Sequence, residues 1–379
     1  MVNKALGALW TDEEIKQAID EWRQKRPERV KTGDWRVEDV PFYEKGRLPR
    51  VDLWHRVDYL DEYDLTYGKK WGASGLGKLR EVAVVRPSDG DLHPFDKQDP
   101  VFMNRPVHPN LKKWQEEHDN FVQILRDNGV TVHYIEYPKP AIGPYGPIRG
   151  LWAGKEVEVV WGGAIVTKYG GWNVLNHGRE KVLTEWLVKQ GCPILLTIIG
   201  KGVVETGPIM VLADDAILVP RGMACNEDGV AQMRPVLERV GIPNIVEVYT
   251  VGWMETTDWY GGGAYHADMF MMPIDIGKML ICPRFCGWET VKQLRAMGYE
   301  LIEIGADDQK NFIPSNLICL EPGKVMMHAG AKETISKVRK AGVEVVEVPF
   351  TQNICMGGGI YCCTAQLVRD RGPKLADMK

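Results

Sequence analysis

The chain has 379 residues, of which 44% are hydrophobic and 26% are charged, and its formal net charge is −4. This balance gives no basic surface for nucleic acid, and no run of about 18 apolar residues is present that would span a membrane. Eight cysteines spread thinly along a chain that starts without an apolar signal core favour a reduced, cytoplasmic protein.

The first 78 residues differ from the rest of the chain. Thr11 and Glu14 have the spacing of a capping box, which predicts an amphipathic helix directly after Thr11. Residues 50–77 are aromatic and charged without a clear period. We interpret residues 1–78 as an extension that wraps the main domain or a neighbouring subunit, and we expect a homo-oligomer. A partly ordered tail is the alternative.

Residues 79–379 repeat one pattern of apolar strands, a helix, a glycine and a further strand. The glycines lie where a left-handed residue commonly ends a helix, and they are Gly129, Gly191, Gly241, Gly298 and Gly342. The segment after each glycine is rich in Val, Ile and Tyr, as strands are. Five such junctions, roughly 45 to 60 residues apart, indicate a repeat architecture.

Most units carry two strands before their helix. In the second and third units these strands turn at Gly162–Gly163 and at Asp214–Asp215. The first unit has only residues 80–86, and residues 359–368, "GIYCCTAQLV", offer the missing partner. If these two segments pair, five ββαβ units form a closed α/β ring with short sheet edges. The alternative, an open doubly wound sheet, needs crossovers without hairpins.

A closed ring of five ββαβ units is the pentein fold, and about residues 79–370 resemble the guanidino-group-modifying enzymes of that superfamily. These enzymes include arginine deiminases, dimethylarginine hydrolases and amidinotransferases. "GGGIYCCTAQLVRD" resembles their glycine-rich strand with the nucleophilic cysteine, and "YHADMFMMPID" resembles their His-x-Asp segment. "VVETGPIMVL" resembles the segment with an acidic residue two positions before a glycine. "KEVEVVWGGAIV" falls where the family has Arg-Asp before a hairpin.

The resemblance places Cys362 at the nucleophile position. In the family this cysteine attacks a carbon bonded to several nitrogens and forms a thiouronium intermediate. Such a carbon is a poor electrophile, and a thiolate is a suitable soft nucleophile. Side chains alternate along a strand, so only one of two adjacent cysteines can face the centre. We therefore expect Cys363 to be the packed, structural member of the pair.

His266 matches the family acid and base, because a histidine can protonate a leaving nitrogen and then take a proton from water. Glu205 resembles the acidic partner that orients this histidine and keeps it cationic. Asp268 and Glu156 resemble the carboxylates that grip a planar cation. The family usually has Asp at the position of Glu156. Because Lys155 is adjacent, the alignment of this segment with the family motif is ambiguous by one residue.

Other positions are less well matched. Gly358 and Gly359 are expected to let the backbone approach the substrate. The arginine that holds the substrate carboxylate in arginine deiminases falls near Ala224, where Arg221 could replace it, so free arginine is a doubtful substrate. Tyr361 occupies the place of a histidine that is frequent in amidinotransferases.

We expect no cofactor and no metal. Cys282 and Cys286 have a metal-like spacing, but no second Cys or His pair follows nearby to complete a zinc site, so we expect them to pack. The glycines at 261–263 lack the Lys-Ser/Thr ending of a phosphate-binding loop, and no dinucleotide fingerprint is present.

The resemblance implies an enzyme that hydrolyses a C–N bond at a guanidine- or amidine-like carbon of a small molecule. An amidinotransferase is one alternative. Hydrolytic denitration of a 2-nitroimidazole-type ring is another, since its C2 carbon also lies between two nitrogens and the missing arginine suits an uncharged ring. A non-catalytic binding protein of the same fold is the third, against which Cys362, His266 and Asp268 argue.

Overall fold

The computed structural model describes residues 10–25, 32–92, 98–99, 108–138, 140–148, 156–168, 174–205, 209–250, 266–355 and 358–378. The chain divides into two compact units, residues 1–69 and 70–379. In the described part of the chain, no helix is long and apolar enough to cross a membrane.

In the described part of the first unit there are three α-helices, Asp12–Lys25 (α1), Val51–Trp54 (α2) and Tyr59–Tyr67 (α3). The predicted capping box is present, because Glu14 N–H donates to Thr11 Oγ1 (3.2 Å) and Thr11 N–H donates to Glu14 Oε2 (2.8 Å). Lys16 of α1 forms an ion pair with Asp61 of α3. The helix prediction is therefore confirmed, whereas the wrapping of a domain or a neighbouring subunit stays a prediction.

The second unit contains the remaining helices and all the described strands. The helices are Leu111–Asp127 (α4), Arg179–Lys189 (α5), Glu227–Arg239 (α6), Trp288–Ala296 (α7), Ala306–Phe312 (α8), Lys332–Lys340 (α9) and Thr351–Ile354 (α10). The strands are Leu79–Val84 (β1), Thr131–Tyr134 (β2), Ile142–Gly143 (β3), Gly146–Pro147 (β4), Val157–Val160 (β5), Gly163–Val166 (β6), Ile194–Thr197 (β7), Met210–Ala213 (β8), Ala216–Arg221 (β9), Asn244–Tyr249 (β10), Met271–Asp275 (β11), Lys278–Ile281 (β12), Glu300–Glu303 (β13), Ile318–Glu321 (β14), Lys324–His328 (β15), Glu344–Val348 (β16) and Thr364–Arg369 (β17).

Five three-stranded sheets share one plan. Their strand orders are β17-β1-β2, β5-β6-β7, β8-β9-β10, β11-β12-β13 and β14-β15-β16. In each sheet the first strand is antiparallel to the second, and the second is parallel to the third across a long helix. Only the short hairpin β3-β4 lies outside this plan among the described strands. The fivefold ββαβ repeat is confirmed.

The predicted junction glycines adopt the left-handed conformation. Their φ angles are 77°, 84°, 83°, 96° and 82° for Gly129, Gly191, Gly241, Gly298 and Gly342. A residue with a Cβ atom is strained at such angles, whereas glycine is not. The glycines thus end the helices α4, α5, α6, α7 and α9 and direct the chain into the third strand of each sheet.

The first and last strands of the second unit pair as predicted. Strand β1 runs antiparallel to β17, with Val82 opposite Gln366 and Val84 opposite Thr364. The predicted strand over residues 359–368 starts too early, because residues 360–363 form a turn in which Cys363 N–H donates to the carbonyl of Ile360. The described strands form separate sheets rather than one closed sheet, so the closed ring stays a prediction.

A buried apolar cluster anchors this turn to the fold. It joins α4, β1, β14 and the end of the chain, and its largest members are Trp114, Phe121 and Phe350. Ile360, Cys362 and Cys363 belong to the same cluster. Because close-packed interiors resist displacement, the segment that carries the two cysteines is held in place on the side facing the core.

Candidate active site

In each of the five sheets, a buried polar residue lies shortly before the first strand. These residues are Glu156 before β5, Glu205 before β8, Asp268 before β11, Asn316 before β14 and Cys362 before β17. All five are at most 3% exposed. Each lies one to five residues before its strand, and the described contacts join Glu205, Asp268, Asn316 and Cys362 through His266, although these residues are up to 157 positions apart in the chain.

The first part of the site is a histidine held by two carboxylates. His266 Nε2 lies 2.7 Å from Glu205 Oε2, and His266 Nδ1 lies 3.9 Å from Asp268 Oδ1. The imidazole and both carboxylates are buried. A carboxylate on each side of the ring stabilises a protonated, cationic imidazole. His266 is therefore in suitable surroundings to donate a proton and to recover it.

The second part of the site is the thiol of Cys362. Its Sγ lies 3.6 Å from Asp268 Oδ2 and 3.0 Å from Asn316 Nδ2. Asp268 thus contacts both the nucleophile candidate and His266 through its two oxygens. The structure brings together Glu205, His266, Asp268 and Cys362 as one continuous series of polar contacts.

The sequence analysis distinguished Cys362 from Cys363 by the alternation of side chains along a strand, and this reason is wrong. Strand β17 begins at Thr364, so Cys362 and Cys363 lie in the preceding turn and do not alternate along a strand. The turn nevertheless directs the Cys362 sulfur to Asp268 and Asn316, while Cys363 packs in the apolar cluster at 5% exposure.

Asn316 is a site residue that the sequence analysis missed. Its Nδ2 donates to Asp268 Oδ2 (2.8 Å) and to Cys362 Sγ (3.0 Å), and its Oδ1 accepts the backbone N–H of Cys362 (3.1 Å). The repeat contains the signal that could have found it. Four of the five units have a candidate polar residue before the first strand, so the fifth unit, "PSNLICL", should have one as well.

The glycines before Cys362 pack closely against other residues of the protein, and their expected approach to the substrate stays a prediction. An added Cβ atom at Gly359 would lie 2.7 Å from Asn316 Oδ1 and 2.9 Å from the backbone oxygen of Asn316. The carbonyl of Gly358 accepts a hydrogen bond from Asn353 Nδ2 (2.9 Å). The close approach that requires a glycine is therefore made to Asn316, and Gly357 lies outside the described residues.

Glu156 has a partner that the sequence did not predict. The guanidinium of Arg179, at the start of α5, donates from Nη1 to Glu156 Oε1 at 3.0 Å, and both side chains are fully buried. The charge of this carboxylate is thus balanced within the protein. Lys155, the neighbour that made the alignment with the family motif ambiguous by one residue, lies outside the described residues.

Among the described contacts, Arg221 pairs with residues other than those around Cys362, and its expected role in substrate binding stays a prediction. It lies at the end of β9 and forms ion pairs with Glu247 and Glu227. Ala224, where the family has its carboxylate-binding arginine, uses its carbonyl to accept the backbone N–H of Glu205 (2.8 Å). This segment therefore supports the acidic partner of His266.

Two further acidic groups near the site are held uncharged. Burial raises the pKa of Tyr361 well above its ordinary value, and the carboxyl groups of Glu158 and Asp268, where ionised, raise it further. Burial also raises the pKa of Glu158 to about 8. At neutral pH these groups add little negative charge beside Asp268 and Cys362.

No metal centre is formed by the described residues, since none of their His, Cys, Asp and Glu side chains gather in groups of three or more that could bind an ion. Cys282 and Cys286 instead pack in or against the apolar cluster around β11 and β12. Burial raises the pKa of Cys282, and it raises that of Cys286 to about 12. The raised pKa values lower the fraction of reactive thiolate at both positions near neutral pH.

The amino-acid sequence is similar to those of several known proteins. The sequence profile of the arginine deiminase family matches residues 288–369. The chain is 30% identical to the 2-nitroimidazole nitrohydrolase of Mycobacterium sp. (strain JS330), across 94% of this chain and 97% of that protein. It is 22% identical to the uncharacterised protein YkgA of Bacillus subtilis (strain 168), across 52% of this chain and 62% of that protein.

Solved structures with the same fold are less similar in sequence. A dimethylarginine dimethylaminohydrolase from Pseudomonas aeruginosa, complexed with citrulline, matches with a TM-score of 0.58 at 19% identity, covering 76% of this chain and 99% of that one. An amidinotransferase of saxitoxin biosynthesis from Microseira wollei matches with a TM-score of 0.62 at 14% identity, covering 80% and 98%. These likenesses show a shared α/β fold.

Proposed function

The chain belongs to the pentein superfamily of guanidino-group-modifying enzymes, in one family with the 2-nitroimidazole nitrohydrolase, and from this premise we propose that Cys362 is the nucleophile of a hydrolase acting on a non-peptide C–N bond. The observation that carries the proposal is the contact of Asp268 with both the Cys362 sulfur and the His266 ring. This arrangement places a thiol, an acid-base group and a carboxylate together in a buried site.

The reaction begins at a carbon that lies between two nitrogens. The thiolate of Cys362 attacks this carbon and forms a C–S bond, and the bond from the carbon to its leaving nitrogen breaks with the electron pair on the leaving group. A covalent intermediate divides one difficult displacement into two easier steps. In a solved structure of similar fold, the arginine dihydrolase ArgZ is covalently bonded to a reaction intermediate, which supports the covalent route.

His266 handles the protons of both steps. With an amine leaving group, the imidazolium between Glu205 and Asp268 protonates the amine, and the resulting neutral imidazole takes a proton from the attacking water. With a nitro leaving group, which takes no proton, the imidazolium first releases its proton to solvent and then serves as the base for water. The water oxygen bonds to the same carbon, and the C–S bond breaks to restore the thiolate. Hydrogen bonding to Glu205 at 2.7 Å holds the ring in one orientation for both transfers.

The Glu156–Arg179 ion pair supports an uncharged substrate. In the guanidino enzymes two carboxylates grip the cation of the substrate, but here Arg179 already balances the charge of Glu156. A guanidinium placed beside this pair would meet a second positive charge. A 2-nitroimidazole-type ring avoids that repulsion, and its nitro group leaves as nitrite, which needs no proton. We therefore assign denitration of a nitroazole as the first reaction to test.

Hydrolysis of a guanidine or amidine is the second candidate, and Asp268 favours it. This carboxylate lies 3.6 Å from the Cys362 sulfur, a position from which it can hold a cationic group by charge-assisted hydrogen bonds. An amidinotransferase would use the same first step and replace water by an amine.

A substrate screen separates these reactions. Purified protein is incubated with 2-nitroimidazole, guanidines and amidines, with and without an added amine, while nitrite and ammonia are both assayed. We expect nitrite from 2-nitroimidazole, and a substrate-derived mass on the peptide containing Cys362 after acid quench. Ammonia alone would favour the second candidate, and a product that forms only with added amine would favour transfer. Turnover without any adduct on Cys362 would contradict the covalent route.

A further inference from the structure

Asn316 contacts the nucleophile through both ends of its amide. Its Nδ2 lies 3.0 Å from the Cys362 sulfur, and its Oδ1 accepts the Cys362 backbone N–H at 3.1 Å. An amide nitrogen carries two N–H donors, and the second acceptor of Nδ2 is Asp268 Oδ2 at 2.8 Å. One side chain therefore fixes the backbone of the nucleophile, touches its sulfur and binds the neighbouring carboxylate.

A strained turn presents Asn316 to the site. Ile313 has φ 47° and ψ 63°, a left-handed conformation that is rare for a β-branched residue. The Asn316 N–H donates to the carbonyl of Ile313 at 3.0 Å and closes this turn before β14. Strained backbone persists where the surroundings over-determine it, often at functional sites.

The opposite side of Asn316 is fixed by Gly359. The backbone of Gly359 comes so close to Asn316 that a Cβ atom would lie 2.7 Å from Oδ1 and 2.9 Å from the Asn316 Cβ. The side chain is buried at 3% exposure. The strained turn on one side and the glycine on the other leave the amide little freedom, so its donor stays directed at the sulfur.

We propose that Asn316 is a catalytic residue, whose amide N–H stabilises the thiolate of Cys362 while its Oδ1 holds the nucleophile in position. The inference rests on the proposed role of Cys362. Asp268 lies 3.6 Å from the sulfur, and a carboxylate at that distance opposes the formation of a second negative charge. The Asn316 amide offsets this repulsion, because it donates one N–H to each of the two anions.

The test is the titration of the Cys362 thiol with and without the amide. Thiolate formation is followed by its ultraviolet absorbance as pH is raised, as the difference between each protein and the same protein carrying Cys362→Ala. The difference removes the absorbance of the other thiols, and of these burial raises the pKa of Cys225 to about 12 and that of Cys319 to about 11. Asn316→Ala removes the amide, and Asn316→Leu removes it while keeping its approximate volume.

In both variants we expect the midpoint of thiolate formation to rise by about one pH unit or more, which is about a tenfold loss of thiolate at a given pH below the midpoint. Ser315→Ala is the matched control. It changes a buried neighbour on the same turn and should leave the midpoint unchanged. Because the titration needs no turnover, it remains informative even if the substrate screen finds no activity.

Unchanged midpoints in Asn316→Ala and Asn316→Leu would overturn the inference, even if turnover fell, because lost turnover alone would indicate a structural role. If Asn316→Ala fails to fold, Asn316→Leu decides the question. A midpoint that rises equally in Ser315→Ala would also overturn it, since the effect would then come from loosening of the turn. If the midpoint rises as expected but wild-type protein converts no substrate, the assignment of the amide stands and the proposed function fails.

Discussion

Cys362 and Cys363 are adjacent in the chain, but their surroundings give them different chemistry. The Cys362 sulfur faces an amide donor and a carboxylate, whereas Cys363 packs among apolar side chains next to Ile360. Reactivity of a cysteine follows from the polarity around its sulfur rather than from its exposure alone. At the scale of single residues, the site is therefore best tested by comparing these two thiols.

Replacement of Cys362 by serine or alanine should abolish turnover. A neutral hydroxyl has a much higher pKa and is a far weaker nucleophile than a thiolate, and alanine has no nucleophile at all. Cys363→Ala is the matched control, which should cost on the order of 1 kcal/mol of unfolding free energy and retain most activity. Steady-state rates and urea unfolding curves measure both effects. Full activity in Cys362→Ala would end the covalent mechanism.

His266→Ala should slow the two chemical steps unequally, and the difference depends on the leaving group. An amine must be protonated as it leaves, whereas nitrite leaves as a stable anion, so adduct formation should be impaired more with a guanidine than with a nitroazole. Breakdown of the adduct should be slow with either substrate, because water loses its general base. Rapid-quench mass spectrometry of the Cys362 peptide measures the two steps, and equal impairment of adduct formation by both substrates would contradict this role.

Arg179→Met should move substrate preference toward cations. The change leaves the Glu156 carboxylate without the guanidinium that now balances it, so a guanidinium substrate gains a partner while a nitroazole gains nothing. We expect the ratio of kcat/KM for guanidines to that for nitroazoles to increase. Removing one partner of a buried ion pair also costs about 3 kcal/mol or more of stability, which urea unfolding will show.

The double variant Glu156→Gln with Arg179→Met is the control for this change. It removes the unbalanced charge and should recover part of the lost stability, and its substrate ratio should return toward the wild-type value. A ratio that is unchanged in Arg179→Met would show that the ion pair does not select the substrate.

At the scale of elements, the turn before β17 decides the position of the Cys362 sulfur. It brings Gly359 against Asn316 and directs the Cys362 sulfur to the same amide. The glycines at helix ends have another function, since Gly342 adopts φ 82° with no heavy atom within 4 Å of an added Cβ atom. One glycine is required by close approach and the other by backbone conformation.

Alanine substitution should separate these two kinds of glycine. Gly359→Ala must displace Asn316 or the turn, so we expect turnover to fall at least tenfold while the helical circular dichroism is retained. Gly342→Ala forces a Cβ atom into a left-handed conformation, which costs roughly 1–2 kcal/mol, and should leave turnover unchanged. Comparable loss of activity in both variants would indicate that general stability, not the Asn316 contact, controls turnover.

At the scale of the whole molecule, stability depends on buried histidines that the site does not use. Burial lowers the pKa of His118 to about 4, and it lowers the pKa of His328 to about 4 as well. Their ordinary value is about 6.5, so the unfolded chain binds protons between pH 6.5 and 4 that the folded chain does not. Stability must therefore fall as pH falls through this range.

His118→Leu should reduce that dependence. Between pH 7 and pH 5 the wild-type protein should lose about 2 kcal/mol of unfolding free energy through His118, and the variant should lose that much less. Glu158 acts in the opposite direction, because its pKa is raised to about 8. The measurement is therefore the difference between the two proteins in urea unfolding at both pH values. If the unfolding free energies of the two proteins changed equally between these pH values, His118 would not be the source of the pH dependence.

The sequence by itself determined the repeat and predicted most of the residues of the candidate site. Junction glycines, hairpin turns and the helix cap at Thr11 express local backbone preferences, so they can be read without knowing the fold, and Cys362, His266, Glu205 and Asp268 stand within short recognisable segments. Only the tertiary structure decided that Asn316 contacts the Cys362 sulfur and that Arg179 balances Glu156. Neither residue stands in a recognisable family segment. The repeat marks the position of Asn316, but its contacts, like those of Arg179, arise because the packing of separate elements sets the distances between side chains far apart in the chain.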